Sequence, residues 1–381
     1  MSTRHSMFSK LTPALLTGLL VGGGLLGAGL MVQSEPVQAY SGMVQPGPGQ
    51  RDESLRADVK LVPSAQGLRA DLTLTNVSRQ PLKLVSWYVP GPELEDDLFL
   101  VDINGEPAAY LGAHYKRSAV TERELLTLLP GQSLHRSVAL EKYYDLSEAG
   151  TVSVRFEVEA LKLKGLSTSQ LDRSYGRVLS SEPVSVSSQG WAYVPPADKL
   201  PDAQDAVQAG TLSYSKCSTS QQSTVKSAYS AAITYANESS SYLTSTSPSG
   251  TARYTTWFGT FSLNNWNTAT THFKAIQDAY NNKAVVIDCS CKKAGVYAYV
   301  YPSSPYKIYV CSAFWNAPMT GTDSKGGTLI HEMSHFTVVA GTDDWAYGQT
   351  DAKALAKSDP TKALDNADNH EYFAENNPKQ N

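Results

Sequence analysis

All four cysteines of this 381-residue chain, Cys217, Cys289, Cys291 and Cys311, lie in its second half. The asymmetry points to two separately built parts, one stapled by disulfides and one held by its core alone. An even cysteine count reads as two disulfides in a chain exported to an oxidising compartment. The amino terminus supplies the export reading. Arg4, His5 and Lys10 make a basic start, an apolar run follows from Leu11 to about Val32, and Val37-Gln38-Ala39 is a small-residue cleavage pattern. Residues 1–39 are therefore expected to be a signal peptide and the protein to be secreted. The apolar run is long for a signal peptide and could serve instead as a membrane anchor, but export with cleavage is the expectation. No cysteine beside the site offers a lipid attachment point, and no stable membrane association is expected. A hydrophobic share of 41% is too high for a disordered chain, and a net charge of −4 leaves no electrostatic footprint for nucleic acid.

Texture divides the rest. Within residues 40–190, short alternating segments such as 57–62, 68–77, 82–89, 98–103 and 151–158 are predicted strands, separated by turn signals at Asn104-Gly105, Pro130-Gly131 and Ala149-Gly150. The expectation is an all-β, immunoglobulin-like sandwich. Its histidines, His114 and His135, are isolated in the sequence and read as surface or structural residues. Residues 191–212, with Pro195-Pro196 and Pro201, read as a linker and processing region. From 213 to 381, helical patterns at about 221–235 and 265–280, two strand-like stretches at 295–301 and 306–311, and a helical carboxy-terminal portion predict an α+β domain.

Chemistry concentrates in His331-Glu332-Met333-Ser334-His335. Two histidines four apart on a helix project from one face, so both imidazoles reach one metal ion, with Glu332 placed to deprotonate a water. A catalytic zinc usually takes three protein ligands. Val338 and Gly341 stand where an extended motif needs glycine and histidine, which excludes that subclass. The third ligand is then Glu371 or Glu375 on a later helix, or Asp344 within Gly341-Thr342-Asp343-Asp344-Trp345-Ala346-Tyr347-Gly348. Tyr347 would point its hydroxyl at the reacting carbonyl. Asp368 and Glu371, three apart on a predicted helix, present two carboxylates on one side.

The motif pair His331-Glu332-x-x-His335 and Gly341-Thr342-x-Asp344-x-x-Tyr347-Gly348 resembles the aspzincin, or deuterolysin, metalloendopeptidases. Tyr254–Gly259, Ala298–Pro302, Ala313–Trp315, Asn366–Phe373 and Glu375–Pro378 are similar to segments of the secreted peptidyl-Lys metalloendopeptidases, and the likeness covers essentially all of 213–381. The resemblance implies a zincin-like fold, one Zn2+ bound by His331, His335 and Asp344, and Glu332 as general base. It also implies disulfides Cys217–Cys289 and Cys291–Cys311. Asp368 and Glu371 would line a lysine pocket, giving cleavage of protein or peptide substrates on the amino side of lysine.

Substrate is expected to lie extended along a sheet edge formed by 295–301 or 306–311. A sandwich placed between a signal peptide and a protease suggests a prodomain, an intramolecular inhibitor keeping the enzyme latent. Lys199 or Lys216 would then be a self-cleavage site or fill the lysine pocket. Rival readings are a retained binding module, a broader-specificity endopeptidase, and an inactive zinc-stabilised binding protein.

Overall fold

Period-two alternation builds the amino-terminal half. In β1 (Leu55–Pro63), Leu55, Ala57 and Leu61 are buried while Arg56, Asp58 and Lys60 face water. The structure, a computed structural model, describes residues 52–164, 177–199 and 210–381. The expected signal peptide at 1–39 and residues 200–209 of the processing region fall outside those residues. Further strands follow in order: β2 (Leu68–Asn76), β3 (Leu82–Val85), β4 (Phe99–Ile103), β5 (Glu106–Pro107), β6 (His114–Arg117), β7 (Leu125–Leu128), β8 (Ser133–Ala139), β9 (Gly150–Glu159), β10 (Val178–Ser180) and β11 (Val184–Ser188). A short helix, α1 (Ala160–Lys164), follows β9.

β1, β2 and β8 form one antiparallel sheet, β9 pairs with β4, β10 and β11, and β3 pairs with β7. Inward residues of these strands, including Leu72, Leu74, Leu84, Val101, Val154 and Phe156, share one core with Trp87 and Trp191. The region is thus all-β in its main elements, as its alternation predicts. β6 behaves differently and joins the sheet of the other half.

That half comprises β12 (Leu212–Ser215), α2 (Thr219–Ser245), α3 (Ala252–Phe258), α4 (Leu263–Asn282), β13 (Val285–Asp288), β14 (Val296–Val300), β15 (Lys307–Val310), α5 (Ser312–Asn316), α6 (Lys325–His335), α7 (Gly348–Ser358), α8 (Pro360–Leu364) and α9 (Ala367–Glu375). Sequence and geometry agree at the start of α2. Ser218 accepts from the Gln221 backbone while Gln221 reaches back to the Ser218 amide, a reciprocal cap. Val225, Ala232, Phe273, Ile276, Leu329, Ile330 and Met333 interlock α2, α4 and α6 in a second core. Disulfides Cys217–Cys289 and Cys291–Cys311 tie the start of α2 and the end of β15 to the loop after β13.

The sheet runs β12-β13-β15-β14-β6. β12, β13 and β15 are parallel, β14 is antiparallel to β15, and β6 is antiparallel to β14. The described ends of the segment read as a linker are packed: Asp198 accepts hydrogen bonds from the Tyr299 and Tyr301 hydroxyls at 2.6 and 2.7 Å, and Leu212 already belongs to β12. Among the described residues, no helix is long and apolar enough to cross a membrane.

Candidate active site

α6 is buried along its whole length, so each polar group on it needs a partner or a purpose. Ser324 caps it, accepting from the Gly327 amide at 2.9 Å. One turn-step apart, the Nε2 atoms of His331 and His335 lie 3.1 Å from each other. Their other nitrogens are committed. His335 Nδ1 donates to the Thr342 carbonyl at 2.7 Å, and His331 Nδ1 faces Asp368 Oδ1 at 2.8 Å. Protons held at Nδ1 leave two Nε2 lone pairs converging on one point.

Asp344 completes that point. Its Oδ1 is 3.3 Å from His331 Nε2, and its Oδ2 is 3.5 Å from His335 Nε2. Three ligands about 2.0 Å from one ion in a tetrahedron stand about 3.3 Å apart. The donor set therefore fits a zinc-sized cation. Other nearby groupings exist, His114 with His335 and Asp344, and His331 with Asp368 and Glu371. The second of these uses a nitrogen already committed to Asp368. Asp344 Oδ1 and both Glu332 oxygens are buried without a hydrogen-bond partner, which is costly unless a cation or water belongs there. Of the three carboxylates weighed from the sequence, Asp344 is the one facing both Nε2 atoms. Glu375 instead accepts from the Ser324 amide and hydroxyl at 2.9 and 2.7 Å.

Electrostatics agree with a site that draws positive charge. Burial would raise the Asp344 carboxyl, but His335 and His331 hold it well below the usual range. Burial would lower the His335 imidazole, yet Asp344 lifts it to about 9. Burial lifts Glu332 to about 7, the range in which a carboxylate both accepts and returns a proton. Burial also raises the Tyr347 hydroxyl well above its ordinary value, assisted by Asp344, so it stays a donor.

Beside this point lies an acidic pocket, and it holds a lysine. Lys116 Nζ is 2.6 Å from Glu371 Oε2, 3.1 Å from Asp368 Oδ1 and 3.6 Å from Asp323 Oδ1. The Tyr297 and Tyr372 rings flank the ammonium at 5.3 and 5.7 Å. Burial would strip its proton, but Asp368, Glu371 and Asp323 raise Lys116 well above the ordinary value. Asp368 is depressed to about 2: burial opposes this, while Lys116 and His331 produce it.

Sequence reasoning missed Lys116 and Asp323. Of the surface and structural roles read for His114, its contacts fit the structural one: its ring lies 5.0 Å from that of His335, tilted by 55°, and its Nδ1 is 3.6 Å from Asp343 Oδ1. Neither lysine expected in the pocket is there. Lys199 donates to the Leu111 carbonyl, Tyr193 and Ser303, and Lys216 lies 3.8 Å from Asp288. The only clue to Lys116 was a short basic segment in a stretch of irregular pattern.

Known proteins resemble this chain. A family model described as lysine-specific metallo-endopeptidase, the aspzincins, matches residues 242–375. An extracellular protease of Aeromonas hydrophila is 42% identical over 319 residues, covering 84% of this chain and 90% of its own. A peptidyl-Lys metalloendopeptidase of Grifola frondosa is 36% identical, covering 84% of this chain and 91% of its own. One from Pleurotus ostreatus is 53% identical over 162 residues, 42% of this chain and 95% of its own. A solved zinc peptidase from Grifola frondosa aligns at 52% identity with a TM-score of 0.41, over 43% of this chain and all of its own. On relatives that match through most of both lengths, the chain belongs to the aspzincin family of metallo-endopeptidases.

Proposed function

We propose that the protein is a secreted zinc endopeptidase that cuts on the amino side of lysine and is made as a latent precursor. The observation that carries the reading is the converging His331, His335 and Asp344 donors, with Glu332 unpaired beside them and an acidic pocket adjacent. These three side chains would hold one zinc ion. When bound, such an ion polarises a carbonyl and makes water acidic near neutral pH. Glu332 takes the proton of the attacking water and returns it to the leaving amine. The Tyr347 hydroxyl donates to the carbonyl oxygen as charge builds there, an effect of about 3–4 kcal/mol for one such donor.

Asp368 and Glu371 select the residue after the cut. A compact ammonium on a long stem reaches a narrow buried pair of carboxylates, whereas the planar guanidinium demands a wider fork. The family description and the names of the Grifola and Pleurotus relatives support lysine. The immunoglobulin-like reading of the amino-terminal half, and its role as a prodomain, are supported by antiparallel sheets around one core and by a strand that reaches the site. The Pleurotus relative, matched over 42% of this chain but 95% of its own length, fits a part that functions after the rest is removed.

Glu332→Ala should retain metal, read by elemental analysis, and lose at least a thousandfold in peptide cleavage. A variant that stays active sinks the assignment of the base. Mapping the cuts in a protein digest, with and without a chelator, tests selectivity. Equal cutting before lysine, arginine and neutral residues overturns the pocket.

A further inference from the structure

β6 comes from the all-β half, yet it pairs antiparallel along β14, with Tyr115 opposite Tyr299 and Lys116 opposite Ala298. This is the edge on which an extended substrate was expected to lie. We infer that β6 is a pseudosubstrate built into the precursor: Lys116 takes the place of a substrate's lysine, and the Tyr115–Lys116 bond lies where the cut bond would. The inference rests on the lysine-endopeptidase reading above.

Three observations place the strand in register as a substrate and not merely near the site. The Lys116 ammonium meets the pocket carboxylates at 2.6 and 3.1 Å, with its side chain 1% exposed. The carbonyl immediately before it, that of Tyr115, accepts the Tyr347 hydroxyl at 2.7 Å. A lysine merely filling a gap between two halves has no need of a preceding carbonyl on that donor. The residue before, His114, stands over His335, where the unprimed side of a bound chain would pass.

Anchors on both sides hold the strand. The Arg117 guanidinium pairs with Glu95 at 2.6 Å and lies 4.6 Å from the Trp87 ring, both within the amino-terminal half. Lys293, from the other half, pairs with Glu93 and Glu95 at 2.8 and 2.7 Å. Lys162 donates to the Asp344 carbonyl. Lys116 and Lys162 of the amino-terminal half thus reach Glu371, Asp368 and the Asp344 carbonyl, and the strand excludes other chains by occupying the same edge they need.

The test uses the full chain in a Glu332→Ala background with zinc added, so that no self-cleavage intervenes. The probe is a fluorescent pentapeptide, Ala-Ala-Lys-Ala-Ala, beside the same peptide with norleucine for lysine; affinity is read by anisotropy. Lys116→Ala and Lys116→Glu should each bind the lysine peptide at least tenfold tighter than the chain with Lys116. Lys199→Ala, which loosens a contact between the halves away from the pocket, should leave affinity unchanged. Cooperative unfolding of each variant confirms that it is folded. Tight binding by the Lys116 chain, equal to that of both variants, overturns the inference, as does absence of binding by every folded variant. Equal binding of lysine and norleucine peptides by the opened variants supports the plug while removing the lysine reading.

Discussion

Asp368 stands between two tasks. One oxygen receives both His331 Nδ1 at 2.8 Å and Lys116 Nζ at 3.1 Å, and the other accepts the Gly348 amide at 2.6 Å. Glu371 has a closer lysine contact, 2.6 Å, and sits 3.6 Å from His331 Nδ1, beyond a hydrogen bond. The two carboxylates should therefore separate on mutation. Asp368→Asn should weaken metal affinity about 10–100-fold, because it disturbs the group that orients a ligand histidine. Glu371→Gln should leave metal affinity alone and lower the preference for a lysine over a norleucine substrate about thirtyfold, a loss of about 2 kcal/mol for one partner of a buried charge pair. Equal effects on metal affinity sink the division of labour. The sequence spacing put Asp368 and Glu371 on one helix face, and that much was legible. Asp368's bond to a histidine 37 positions earlier depends on how α9 packs on α6, which no local pattern carries.

At the scale of one element, α6 depends on its two glycines. Alanine normally favours a helix over glycine by about 0.5–1 kcal/mol. At Gly327 the sign reverses, because a Cβ there would stand 2.1 Å from Glu375 Oε1 and 3.0 Å from Glu371 Cγ. Glu375 is the acceptor for the Ser324 amide and hydroxyl at the helix start, so pushing it away also undoes the cap. Gly327→Ala is expected to destabilise by about 2–4 kcal/mol, overpacking and cap loss together. A denaturant midpoint equal to or above wild type removes that account. The helix itself was readable from the histidine spacing and the apolar Leu329 and Ile330. β6 was not, because His114-Tyr115-Lys116-Arg117 has no apolar alternation of its own. Its strand conformation comes from an edge contributed nearly two hundred residues later.

Across the whole molecule, assembly also buries titratable groups that the proposed chemistry does not use, and acid should find them. His370 is fully buried on α9. Its Nδ1 donates to the Asn366 carbonyl at 2.9 Å, so its Nε2 is left as the acceptor for His272 Nδ1 at 2.9 Å. A second proton on His370 has no place to go. Burial, with His272 nearby, lowers His370 from 6.5 to about 3. In the unfolded chain it protonates near its ordinary value, so between about pH 6.5 and 3 the unfolded state binds more protons than the folded one. Its contribution to stability is complete above pH 6.5 and declines as pH falls through that window, by about 1.4 kcal/mol per pH unit for one missing proton. Buried carboxylates held low, such as Asp368, add loss of the same sign only below their own ordinary range. Comparing slopes isolates the histidine. His370→Asn should be less stable than wild type at pH 7, yet its denaturant stability between pH 6 and 4.5 should fall about 1.4 kcal/mol per unit less steeply. Parallel slopes for the two proteins mean that His370 titrates freely in the folded chain, contrary to its burial.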